Sequence, residues 1–148
     1  MPADRRALVV AAAVIEREGR ILVSRRLKGT HLEGLWEFPG GKCEAGETIA
    51  GCLVREIREE LGVEATVGPE VLSTEHDYPE KRVRLHFHWC AIDAEPRSMI
   101  GQELQWIARD DLGTLQFPSA DKELVEILMR TPGATAPTSQ SPSSSRRP

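Results

Sequence analysis

Residues 41–63 read Gly-Lys-Cys-Glu-Ala-Gly-Glu-Thr-Ile-Ala-Gly-Cys-Leu-Val-Arg-Glu-Ile-Arg-Glu-Glu-Leu-Gly-Val. The spacing predicts a helix over 48–61: Ile49, Leu53, Ile57 and Leu61 recur every four residues and make one apolar stripe. Thr48 is placed to cap its start and Gly62 to stop it. Glu56, Glu59 and Glu60 fall at i, i+3 and i+4, so they share a neighbouring face. Like charges that close cost about 0.2–0.5 kcal/mol per pair on an exposed helix. A divalent cation reverses that sign, because Mg²⁺ prefers hard oxygen ligands. Alone, such glutamates usually read as a solvated face. Their surroundings add weight to the metal reading. Gly40-Gly41 allows a tight loop whose backbone can approach a ligand, and Glu47 can reach Arg55 two turns later as an orienting ion pair.

Outward from this stretch, Leu8 to Ile15 and Ile21 to Ser24 flank the polar turn Glu16-Arg17-Glu18-Gly19 and read as a hairpin. Arg5-Arg6 before Ala7 to Ile15 imitates the start of a signal peptide, but the turn and second run favour the hairpin. No apolar run approaches the roughly 20 residues that span a membrane. Arg25 to Leu35 reads as loop, and Trp36-Glu37-Phe38 as a short extended piece entering the forced turn Pro39-Gly40-Gly41. Val63 to Glu75 is expected to be a strand interrupted at Gly68-Pro69. Arg82 to Ile92 alternates, with Val83, Leu85, Phe87 and Trp89 on one face and Arg82, Arg84, His86 and His88 on the other. Leu104 to Ala108 is a further strand. Ser119 to Met129 reads as a closing helix with Leu124, Ile127 and Leu128 inward.

These elements suggest an α/β fold, a mixed β-sheet with helices on both faces. At 148 residues the chain fits one domain, placed at 7–130. Residues 1–6 are expected to be a flexible N-terminus. Residues 131–148, rich in Pro, Ser, Thr and Ala, are expected to be a disordered tail. The net charge of −4 leaves no basic footprint for long nucleic acid, yet suits a small charged substrate held through metal ions. Cys43, Cys52 and Cys90 form no paired framework and imply reduced thiols in a cytoplasmic protein, with Cys52 in the core.

Gly41, five residues, Glu47, seven residues, then Arg55-Glu56-Ile57-Arg58-Glu59-Glu60-Leu61-Gly62-Val63 resembles the Nudix signature at each of its nine fixed positions. Arg25-Arg26, Leu35 to Lys42, Gln102 to Trp106 and Phe117 to Asp121 are similar to segments of the MutT-like branch, in the same order. The resemblance implies a Nudix fold, an α/β/α sandwich with a loop-helix-loop metal site. By that resemblance Glu56, Glu59, Glu60 and the Gly40 carbonyl hold Mg²⁺, with Mn²⁺ able to substitute. Glu56 orients or deprotonates the attacking water, Arg55 and Glu47 are structural, and Arg26 contacts phosphate. The implied reaction is hydrolysis of a nucleoside triphosphate to monophosphate and pyrophosphate.

Two departures stand out. Where MutT-like proteins often carry one more metal-binding glutamate, this chain has Ile100, and Glu103 is the candidate replacement. Where MutT reads oxidised guanine with asparagine, this chain has Asp121. An ionised carboxylate only accepts hydrogen bonds, which suits the amino group of a cytosine-type base. Asp121 with Phe38 is therefore the candidate base reader, and a helix cap is its alternative reading. His31, Tyr78 and Lys81, with Glu80 between the last two, are further candidates for substrate contact. His86 and His88 share a strand face but have no third ligand to make a zinc site. Either an oxidised purine or a CTP-like triphosphate fits as substrate. Dinucleoside polyphosphates, nucleotide sugars or capped RNA ends are the alternatives within the fold, and a binding-only module the alternative outside catalysis. A monomer or a homodimer is expected.

Overall fold

The computed structural model describes residues 7–30, 32–79 and 81–131 and is organised by one long strand, β1 (Ala7–Arg17). β1 turns through Glu18-Gly19, both left-handed at φ 53° and 78°, into β2 (Arg20–Arg25). This is the expected hairpin, with Glu16 opposite Ile21. β2 carries β3 (Trp36–Glu37) and β7 (Leu104–Ala108) as antiparallel partners. At the other end of β1, β4 (Gly40–Lys42) pairs antiparallel with Val10–Ala12. β6 (Arg82–Ile92) lies parallel to β1 from Ala7 to Ile15, and β5 (Ala65–Asp77) completes that side antiparallel to β6. The β5–β6 register shifts around Val67, Glu70 and Leu72, a bulge at the Gly68-Pro69 interruption.

Alternation along β1 divides the core in two. Ala11, Ala13 and Ile15 pack with Cys52, Leu53, Ile57 and Leu61 of helix α1 (Ile49–Leu61). Ala12 and Val14 pack with Val83, Leu85 and Phe87 and with Leu124, Val125 and Leu128 of helix α2 (Lys122–Arg130). The result is the α/β/α sandwich expected from the sequence, each fully buried aliphatic or aromatic side chain contributing about 1.5–3 kcal/mol. α1 begins and ends as expected. Thr48 Oγ1 accepts from Gly51 N at 2.9 Å, and Gly62 is left-handed at φ 68° with its N–H on the Arg58 carbonyl.

α2 departs from expectation. Ser119–Asp121 forms a 3₁₀ turn after Pro118, and the α-helix proper starts at Lys122. Val125 faces inward in the place expected of Ile127, which is only partly buried. A second 3₁₀ segment, Arg109–Thr114, is anchored to β1 by Arg109, which forks onto Glu16 with bonds of 2.7 and 2.8 Å; both side chains are nearly fully buried. Arg109 also donates to the Thr131 carbonyl at 2.8 Å. The expectations for residues 1–6 and 132–148 lie outside the described residues. All three cysteines are free, Cys52 and Cys90 buried. Among the described residues no helix is long and apolar enough to cross a membrane.

Candidate active site

Where α1 meets β4, two glycines let backbone replace side chain. A Cβ on Gly40 would collide with the Ala11 carbonyl, and one on Gly41 would lie 2.6–2.7 Å from the Glu56 carboxylate atoms. The carboxylates of α1 therefore lie directly against the β4 backbone. Arg55 ties them together. It forks onto Glu47 (2.7 and 2.9 Å), donates to the Lys42 carbonyl (3.0 Å), and reaches Glu56 (3.1 Å) and Glu59 (3.3 Å). The bond from Arg55 holds the Glu47 carboxyl down at about 2, and the same partner raises the Arg55 guanidinium further above its ordinary value.

Glu60 behaves oppositely. Burial, then the charges of Glu56 and Glu37, push its carboxyl up to about 8, although Gly40 N–H donates to it at 3.3 Å. Glu37 is paired with Arg26 and Glu56 with Arg55, while Glu60 has the Gly40 N–H and the charges of its two acidic neighbours. Hard oxygen donors with surplus negative charge fit a divalent cation. Among the described residues, no three His, Cys, Asp or Glu side chains stand ready around one ion: Arg55 holds Glu56 and Glu59, and Gly40 N holds Glu60.

A cleft of about 380 Å³ opens beside this cluster. Gly40, Gly41 and Glu60 line it together with Arg26, Glu37, Phe38 and Asp121. Phe38 stacks on Phe117 (5.3 Å between ring centres, 15° between planes) and meets Phe87 edge-on. Arg26 Nη1 donates to Glu37 at 2.9 Å. Asp121 stands at the N-cap position of α2, yet it is 8% exposed and its side chain makes no capping hydrogen bond. Burial and the charge of Glu37 push its carboxyl up to about 7 against the pull of Arg26.

The structure thus brings Arg26, Phe38, Gly40, Glu60 and Asp121 to one cleft. Glu56 stands behind Gly41, and Glu59 outside on Arg55. Glu103 is turned to Arg25 at 3.4 Å and is not among the residues lining the cleft, whereas Ile100 is. Tyr78 and Lys81 form the β5–β6 turn, each backbone N–H donating to the other's carbonyl, and neither lines the cleft. His31 and Glu80 lie outside the described residues. His86 and His88 face Glu70, at 3.2 and 3.6 Å, also away from the cleft. Sequence reasoning missed Glu37 and Gln102. Glu37 left one signal, an acid set between Trp36 and Phe38 in an otherwise apolar run. Gln102 left only its place in the Gln102 to Trp106 segment, which gives it no role, since its partner is a distant backbone carbonyl.

The family model described as NUDIX domain matches residues 10–126. The chain is 41% identical over 123 residues to the CTP pyrophosphohydrolase of Escherichia coli (strain K12), covering 81% of this chain and 90% of the relative. It is 35% identical to the 8-oxo-dGTP diphosphatase of Haemophilus influenzae, covering 85% and 94%. The crystal structure of a MutT NUDIX hydrolase from Burkholderia pseudomallei superposes with a TM-score of 0.73 at 29% identity, covering 82% and 97%. The chain belongs to the Nudix family, in its MutT-like branch. It is a hydrolase of phosphoanhydride bonds.

Proposed function

We propose that this protein is a Mg²⁺-dependent pyrophosphohydrolase of nucleoside triphosphates that prefers a cytosine-type base. The observation that carries this reading is the one cleft lined by Glu60, by Phe38 and by the buried Asp121, whose side chain makes no capping bond. A divalent cation held by Glu56, Glu59, Glu60 and the Gly40 carbonyl would neutralise phosphate charge and acidify the attacking water. The chain's own groups do the rest. Arg26 is placed to contact phosphate, Arg55 fixes Glu56, and Phe38 with Phe87 and Phe117 gives an apolar surface for a base. Water adds to an internal phosphorus, the P–O bond to pyrophosphate breaks, and Glu56 takes the proton of the attacking water.

An ionised Asp121 accepts from an exocyclic amino group and repels a 6-oxo group, a difference of about 1–3 kcal/mol for a good pair. The name of the Escherichia coli relative, CTP pyrophosphohydrolase, agrees with that preference. A second reading rests on the raised Asp121 carboxyl: protonated, it donates to the 6-oxo group and admits oxidised guanine, in line with the relative named 8-oxo-dGTP diphosphatase. Turnover of a panel of ordinary and oxidised triphosphates, with products identified, tests the class. Monophosphate and pyrophosphate, formed only with Mg²⁺ or Mn²⁺, are expected. Diphosphate and inorganic phosphate, or turnover only of dinucleoside polyphosphates or nucleotide sugars, would overturn it.

A further inference from the structure

The last turn of α1 carries Glu59 and Glu60 and ends where a helix runs out of internal donors for its carbonyls. Residues 97–102 supply them. Arg97 N–H donates to the Leu61 carbonyl at 2.8 Å, and its guanidinium to the Gly62 carbonyl at 3.2 Å. The Glu60 carbonyl receives two donors, Met99 N–H at 3.1 Å and Gln102 Nε2 at 2.9 Å. Gln102 is 5% exposed, and the other end of its carboxamide is equally engaged. Its Oε1 accepts from Ile100 N–H at 3.1 Å and from the Ser98 hydroxyl at 2.9 Å. One side chain therefore joins the end of the glutamate-bearing helix to the loop whose Ile100 walls the cleft.

We infer that Gln102 is a positioning residue for the reaction, holding Glu60 by its backbone so that the Glu60 carboxylate stays in the cleft. The inference rests on the function proposed above. Its physical basis is that the Glu60 carboxylate, in a cleft it shares with Glu37 and one turn after Glu56 on α1, is held by Gly40 N–H only at 3.3 Å. A side chain repelled by two neighbours stays in place only if its backbone is fixed. Gln102 supplies the only side-chain donor that does so among the described residues. The loop has no acidic ligand at Ile100, which leaves the metal to the box glutamates and makes their placement more consequential.

A glutamine that merely completes the loop would stabilise the fold without altering metal affinity. Two variants of the full chain separate these cases. Gln102→Met keeps the length and removes all three hydrogen bonds, and Gln102→Asn keeps the amide but falls one carbon short of the Glu60 carbonyl. Mn²⁺ affinity, from the electron paramagnetic resonance of the free ion during titration, is expected to weaken about tenfold in both. Turnover at limiting metal should fall by a similar factor, with nucleotide KM held within about twofold. In a Glu60→Gln background, Gln102→Met should change Mn²⁺ affinity by less than about twofold, because its effect passes through that carboxylate. Unchanged Mn²⁺ affinity in both single variants, or an undiminished loss in the Glu60→Gln background, would overturn the inference. If the wild-type protein hydrolysed no nucleoside triphosphate, the proposed function would fall, while the Mn²⁺ titrations would still decide the role of Gln102.

Discussion

Glu59 and Glu60 are consecutive on α1, so they project about 100° apart and meet different surroundings: Glu60 is buried among carboxylates and Glu59 is exposed on Arg55. In the proposed reaction both serve as oxygen donors to the cation, so Glu59→Gln and Glu60→Gln should each cut turnover at least about a hundredfold. Glu60→Gln should not lower the melting temperature, because it removes a crowded carboxyl, and Glu59→Gln should lower it only slightly, because it gives up an exposed ion pair with Arg55; near-normal turnover of both at limiting Mg²⁺ would refute the assignment. Glu60 also sets a pH signature. Its carboxyl is near 8 in the fold and near 4.5 in the unfolded chain, so between these values only the native state holds the proton. Stability is then present below about pH 4.5 and lost as pH rises through 8, and Asp121, raised to about 7, adds the same sign. The metal-free protein should melt at lower temperature at pH 8 than at pH 6, and Mg²⁺ should restore more at pH 8. Equal Mg²⁺ shifts at both pH values would contradict this. The glutamates were legible because one helix carries all three. Glu37 and Asp121 were not legible as neighbours, because only the folded sheet brings β3 beside the 3₁₀ turn at Ser119–Asp121.

At the scale of elements, α1 and β4 work as one unit because Gly41 admits the Glu56 carboxylate. Gly41→Ala would place a methyl group 2.6–2.7 Å from that carboxylate, which, being a side-chain end, moves aside. Turnover is expected to fall at least tenfold, roughly the loss of a displaced metal-site partner, with little change in melting temperature. Steady-state kinetics beside a thermal melt checks this, and a melt lowered by many degrees with normal turnover per folded molecule would oppose it. The helix itself was readable to its ends, because Thr48, the four-residue stripe and Gly62 are all local signals. The β5 bulge was readable for the same reason, since Gly68-Pro69 breaks the ladder wherever it lies. In α2 Leu124 and Leu128 face inward as the period indicates, and Val125 replaces Ile127 because the two flank that stripe on either side and the docking of the helix, not its period, chooses between them.

The whole molecule depends on contacts that no local pattern announces. β1 lies parallel to β6, and Glu16 at the end of β1 is paired inside the protein with Arg109. Arg109→Met would leave Glu16 buried without its partner and should cost about 3–5 kcal/mol in chemical denaturation. A loss below about 1 kcal/mol would mean that the pair is effectively solvated. The same global fold carries α2 and its 3₁₀ lead-in across the sheet, so that Asp121 meets the cleft that Glu60 enters from α1. The measurement that bears most directly on function is therefore the ratio of kcat/KM for CTP to that for 8-oxo-dGTP, from pH 6 to 9, in the wild type and Asp121→Asn. In the wild type the ratio should rise as Asp121 ionises through about pH 7, and in Asp121→Asn it should fall about tenfold or more at pH 8 and lose that pH dependence. A ratio unchanged by the substitution and flat across the pH range would contradict a base-reading role for Asp121 and the cytosine preference derived from it.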